Sequence, residues 1–192
     1  MSYFTAYDPT TGQVFYGGTA ADPAALASSE VSILEGAQHG DGWISAGQFY
    51  ALPAQPSENH TFDWVAKQWV DPRTLQDHKD AKWEEIKAAR TGAIDAPLVT
   101  SLGTFDSGPA DRTNITDAVL MAQTLAAMGE TVSIEFTRAD NTVATLNAAQ
   151  MVEVGLTLGA KVQAAYATAR TLRAEIEAAT TVAQVQDVAW PA

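Results

Sequence analysis

The chain has 192 residues, 46% of them hydrophobic, which suffices for a core and excludes a disordered chain. Its net charge of -12 repels phosphate backbones and anionic lipid, so neither nucleic acid nor a membrane surface is an expected partner. The absence of cysteine excludes disulfides, thiolate catalysis and zinc–cysteine sites.

The opening MSYFTAYDPTTG has neither a basic segment nor an apolar run, so no secretory leader is expected. Residues 1–75 predict a small β/turn-rich N-terminal module. A strand over 3–7 leads into DPTTG at 8–12, where Pro9 presets φ and Gly12 accepts a positive one. A second short strand over 13–16 is predicted to stop at Gly17 and Gly18. Asp22 before Pro23 predicts a capped short helix. Residues 31–34 form a third apolar run. Gly40, Gly42 and Gly47 mark a turn region, a strand over 47–52 follows, and Pro53, Pro56 and Ser57 read as a linker. Residues 62–64 and 68–70 flank a short turn, and a hairpin there would bring Trp64 and Trp69 together as an aromatic latch.

Residues 76–192 predict a helix-rich C-terminal domain. A helix from about 75 to 89 or 90 places Trp83 and Ile86 on a common face as anchors, with residues 91–92 as its stop. On that helix Lys82 with Glu85, and Glu84 with Lys87, are opposite charges three residues apart. A strand is predicted over 98–105. A helix capped by Asp111 or Thr113 then runs to about 128 and stops at Gly129, and a hairpin spans about 131–146.

A long helix is predicted over about 147–179. Glu153, Lys161 and Gln163 interrupt its Ala-rich run, so no membrane insertion is expected. Its apolar residues step at three and four, close to a heptad stripe that includes Leu158, Val162, Leu172 and Ile176. The stripe either packs on its own hairpin and the preceding helix, or seals against copies of itself. A helix of about 30 residues is about 45 Å long, more than one small hairpin covers. A homo-oligomer is therefore expected, a trimer favoured, with those four residues as interface candidates beside Trp64, Trp69, Trp83 and Ile86. The fold class is α+β.

No catalytic arrangement stands out. His39, His60 and His78 lie in separate segments without ligand spacing. Asp106, Asp111 and Asp140 could meet as a cation site, but aspartate is also the ordinary residue of turns and caps. Glycan depolymerases need two carboxylates held across a cleft, and no spacing nominates a pair. The expectation is a non-enzymatic protein with no catalytic residue, cofactor or metal.

Several runs carry a resemblance. They are WVDPRTL (69–75), KWEEIKAAR (82–90), LGTFDS (102–107), Asn114-Ile115, Met128-Gly129, FTRADN (136–141), LRAEI (172–176) and Trp190-Pro191. Together they resemble a domain family of unknown function found at the C-terminal ends of phage and prophage tail proteins, over roughly residues 78–190. The run YDPTTGQV (7–14) is similar to the opening of tail-fibre-associated and fibre-assembly proteins. The resemblance implies a virion part at the tail tip, baseplate or fibre, made in the bacterial cytoplasm. Implied partners are other phage tail proteins and a host surface receptor. The alternative it leaves is a tail-fibre assembly chaperone that is not retained in the virion. It implies no catalytic residues.

Overall fold

The computed structural model describes residues 1–191. The fold is mixed α+β and divides into two compact units, residues 1–73 and 74–192.

Unit 1 is built from short antiparallel strands. Strands β1 (Ser2–Tyr7), β2 (Val14–Ala20) and β3 (Ser32–Glu35) form one sheet in the order β2-β1-β3. Gly17 and Gly18 do not end β2; the strand passes through both. Their role is close approach. A Cβ on Gly17 would lie 2.4 Å from Gln38 Cγ, and one on Gly18 would touch the Phe4 ring at 3.3 Å. The buried Thr5 hydroxyl explains why residues 37–39 come so near, since it donates to Ala37 O and accepts from His39 N. Asp22 makes no side-chain cap, and Pro23–Leu26 is a single 3₁₀ turn.

The glycine-marked region at 40–47 contains a strand as well as a turn. Strand β4 (Gly42–Ser45) pairs with β5 (Gln48–Ala51) across a two-residue turn, with Ala46 at φ 47 and Gly47 at φ 74. Two successive left-handed residues give the tight turn whose twist matches antiparallel strands. Strands β6 (Thr61–Asp63) and β7 (Gln68–Val70) form the expected hairpin.

Unit 2 begins with α1 (Leu75–Asp95). Thr74 and Asp77 cap it reciprocally, satisfying two backbone donors that the helix leaves open. The helix continues through residues 91–92, because one glycine costs only about 1 kcal/mol and the packing beyond it offsets that. Residues 98–105 are a tight hairpin, β8 (Leu98–Thr100) with β9 (Gly103–Phe105), and not one strand. Helix α2 (Pro109–Ala127) starts earlier than expected, with Gly108 at its cap position and Pro109 in its first turn. Strands β10 (Ile134–Thr137) and β11 (Val143–Leu146) pair in register. Helix α3 (Ala148–Ala178) follows, capped by Asn147 and Gln150. A short α4 (Val182–Asp187), absent from the sequence reading, is capped by Thr181.

Two clusters form the core of unit 2. The first gathers Leu98, Phe105, Ile115, Ile134, Leu146, Met151, Val154 and Leu158, joining both hairpins to α2 and the first half of α3. The second gathers Ile86, Ala169, Leu172, Ile176 and Val188, with Trp83 and Trp190 against it. It joins α1 and the segment around α4 to the second half of α3. The helix does outreach the hairpin, as its length predicts, and its own chain supplies the missing partners.

Candidate functional site

Unit 1 holds an aromatic cluster built by strand register. Trp43 opposes Tyr50 in one hairpin, and Phe62 opposes Trp69 in the other. Trp43 stacks on Tyr50 at 5.5 Å and 11°, and on Phe62 at 5.5 Å. Trp64 and Trp69 both meet Phe62 edge-on, at 4.8 and 5.3 Å. The two predicted tryptophans are therefore joined through a phenylalanine between them. Trp69 Nε1 donates to Pro53 O at 2.9 Å, which ties the preceding linker to the hairpin. Lys67, left-handed at φ 60, turns its ammonium onto Thr11 O and Trp64 O and lies 5.9 Å from the Trp43 ring centre. Sequence reading missed Trp43, Tyr50 and Phe62 as members. The usable signal was the Ala46-Gly47 pair, which sets a two-residue turn and so places Trp43 opposite Tyr50.

The turns of unit 1 are held by aspartates. Asp8 Oδ1 accepts from the amides of Thr10 and Thr11, and Asp63 Oδ1 from those of Val65 and Ala66. Backbone donors favour the ionised form, so both carboxyls sit below the ordinary carboxylate range. Asp140 in unit 2 is lowered chiefly by the Thr142 side chain.

Unit 2 carries a polar clamp at the end of α1. Ser107 is 1% exposed, and its hydroxyl is shared between Ile94 O at 3.0 Å and Ala96 O at 2.5 Å. Lys161 Nζ reaches Ala96 O and lies 2.8 Å from Ser107 Oγ. Arg112 Nη1 donates to Asp95 Oδ1 at 2.5 Å and to Ser107 O at 2.7 Å. Burial lowers the Lys161 pKa, the Arg112 charge lowers it further, and Asp95 opposes them. A serine beside a depressed lysine is the raw material of a nucleophilic dyad. Here the hydroxyl is shut off from solvent and engaged with backbone carbonyls. The arrangement satisfies the open carbonyls of α1 and pins them to α2 and α3.

Of the predicted interface residues of unit 2, Ile86, Leu158, Leu172 and Ile176 are buried, and Trp83 and Val162 are half-buried. Trp83 and Ile86 pack with Leu172 and Ile176 in the second core; Leu158 belongs to the first, and Val162 packs against that core while lining a groove. Leu158, Leu172 and Ile176 are 6%, 7% and 2% exposed. Within one chain, residues of α1, α2 and the α4 segment pack against Leu158, Leu172 and Ile176, so the same chain covers these three stripe residues. Arg173 lies over the Trp83 ring at 5.0 Å, and Arg90 over Tyr166 at 4.7 Å. The open groove between α2 and α3 measures about 490 Å³ and is lined by Val119, Leu156, Gly159 and Val162 among others.

Asp106 and Asp111 share a surface cleft with Glu135 and Arg138, while Asp140 is engaged with Thr142 in its own turn. Among the described residues no group of three His, Cys, Asp or Glu side chains is arranged to hold a metal, and no helix is long and apolar enough to cross a membrane.

Residues 77–189 match a family described as a domain of unknown function, DUF4376. The match spans more than half of the chain. The chain belongs to the DUF4376 family. No curated protein and no solved structure matches it. The DUF4376 segment coincides with unit 2, from the first turn of α1 to just short of Trp190. It contains Trp83, Ile86, Leu158, Val162, Leu172 and Ile176, and both core clusters apart from Trp190. Trp64 and Trp69 lie outside the DUF4376 segment, in unit 1.

Proposed function

We propose that this DUF4376 protein is a non-enzymatic structural component of a bacteriophage tail, at the tail tip, baseplate or fibre. The observation that carries the reading is the set of motifs from KWEEIKAAR (82–90) to LRAEI (172–176), which resemble the C-terminal domains of phage tail proteins. Those motifs hold the fold of unit 2 together. Trp83 and Ile86 pack on Leu172 and Ile176, Phe105 is fully buried, and Ser107 is the centre of the α1 clamp. The resemblance therefore extends over a whole folding unit rather than a short surface motif.

In this reading unit 2 is the module shared among tail proteins, and unit 1 contacts neighbouring tail parts or the host surface. Unit 1 exposes Tyr3, Phe15 and Tyr16, apolar material of the kind that assembly covers. The three-fold axis drawn from the α3 stripe is not part of the proposal, because that stripe is buried within one chain. The run YDPTTGQV (7–14) favours a second reading, a tail-fibre assembly chaperone left out of the finished particle. Co-expression with the fibre chain separates the two. A structural part leaves fibre solubility unchanged and is recovered in particles. A chaperone rescues fibre solubility and is absent from them, and that outcome would overturn the first reading.

A further inference from the structure

Helix α3 has a second face, opposite the core. Glu153, Leu156, Ala160, Gln163, Ala167 and Arg170 recur at alternating three- and four-residue steps, and all six are exposed. At 100° per residue they centre about half a turn away from the buried stripe. The series extends one step further each way, to Ala149 and Ala174, also exposed.

The outer face of a surface helix is ordinarily charged, and a helix apolar on all sides is ordinarily covered on all sides. In α3 the six charged residues are Glu153, Lys161, Arg170, Arg173, Glu175 and Glu177, three of each sign, so the helix is neutral in a chain of net charge -12. Lys161 is turned inward to the α1 clamp, and Arg173 lies over Trp83. The outer stripe keeps one acid and one base, with Leu156 70% exposed between them. A second copy of so acidic a chain meets little repulsion on a face that is itself neutral.

The placement of those two charges selects the partner and its direction. Glu153 lies seven residues before Ala160, and Arg170 seven residues after Gln163. The stripe therefore has a midpoint between Ala160 and Gln163, with opposite charges equally far on either side. A parallel copy would set Glu153 against the partner's Glu153. An antiparallel copy sets Glu153 against the partner's Arg170 twice, Leu156 against the partner's Ala167, and Ala160 against the partner's Gln163. That is the self-complementary pattern of a two-fold contact. Ser101 Oγ donates to Glu153 Oε1 at 2.6 Å and holds that carboxylate in place.

We propose that the outer face of α3 is a homodimer interface, in which two copies pair antiparallel about a two-fold axis between Ala160 and Gln163. The proposal goes beyond the tail reading and stands apart from it. The test reads mass in solution, whereas the tail reading is tested by the content of particles.

Light scattering on the full chain gives twice the 20.3 kDa chain mass. Glu153→Arg alone or Arg170→Glu alone places like charges face to face and weakens pairing about tenfold or more. The double variant restores it. Both sites are exposed, and circular dichroism confirms that each variant is folded. The chain lacks cysteine, so Leu156→Cys and Ala167→Cys provide a direct geometric check. The two variants mixed together form a disulfide-linked dimer, and each alone does not. A monomeric wild type, which would mean that another protein or unit 1 covers the face, overturns the proposal. So does a trimer, a dimer indifferent to the single charge reversals, or a failure of the double variant to restore pairing.

Discussion

Two glycines on α3, one turn apart, test the packing of the helical unit against each other. A Cβ built on Gly155 lies 2.7 Å from Val119 Cγ2 on α2, and one built on Gly159 meets nothing within 4 Å. Carbon atoms in contact sit about 3.5–4.0 Å apart, so Gly155→Ala overlaps Val119 by about 1 Å. Val119 cannot turn away freely, because a β-branched side chain in a helix is held to one rotamer. The relief must come from α2 moving outward, at a cost of about 1–3 kcal/mol. Both substitutions also gain about 1 kcal/mol of helix propensity. That gain cancels in their difference, so Gly159→Ala should exceed Gly155→Ala in stability by about 1–3 kcal/mol. The assay is urea unfolding followed by circular dichroism, with both variants in the Glu153→Arg background so that pairing does not enter. Equal midpoints, or a more stable Gly155→Ala, would refute the close α2–α3 contact.

Three further predictions follow from the geometry. Ser107→Ala leaves Ile94 O without its side-chain donor and weakens the α1 clamp, and a loss of about 1–3 kcal/mol in urea unfolding is expected; an unchanged midpoint would count against the clamp. Leu172→Ala costs about 2–5 kcal/mol by opening a cavity in the second core. Light scattering should show its native mass unchanged, and dissociation without destabilisation would instead revive Leu172 as a seam residue. Asp8 and Asp63 have folded values below the ordinary carboxylate range, so they stabilise unit 1 above that range. The contribution is lost as the pH falls below about 4, through the depressed folded values. The Asp8→Ala/Asp63→Ala variant should show a flatter acid dependence of its denaturation midpoint than the parent, and identical curves would contradict the assignment.

The helical unit was the more legible half of the chain. Local chemistry set the hairpin of β10 and β11, and the Asn147 cap set the start of α3. The pairs Lys82–Glu85 and Glu84–Lys87 form as spaced, at 2.6 and 2.5 Å. What periodicity could not say was which surface covers the α3 stripe. The same three- and four-residue steps serve a core and a seam, and the deciding partners, Ile86 for the second half and Ile115 for the first, lie far away in sequence. Glycine misled in both directions, because its meaning depends on the neighbour. Gly17 and Gly18 read as a strand end, yet they admit Gln38 and Phe4. Gly92 read as a helix stop, yet α1 runs past it. The aromatic cluster was half visible, since Trp64 and Trp69 stood out by density while Phe62 between them did not.

The central proposal is that the chain is a tail component, and mass spectrometry of purified virions tests it most directly. If a phage genome encodes the chain, as proposed, its particles would be banded, stripped of adhering host protein and quantified against the capsid protein. The account predicts peptides from both units at a fixed ratio to the other tail proteins, retained in isolated tails. Their absence from intact virions, with the protein abundant in the infected cell, would contradict it.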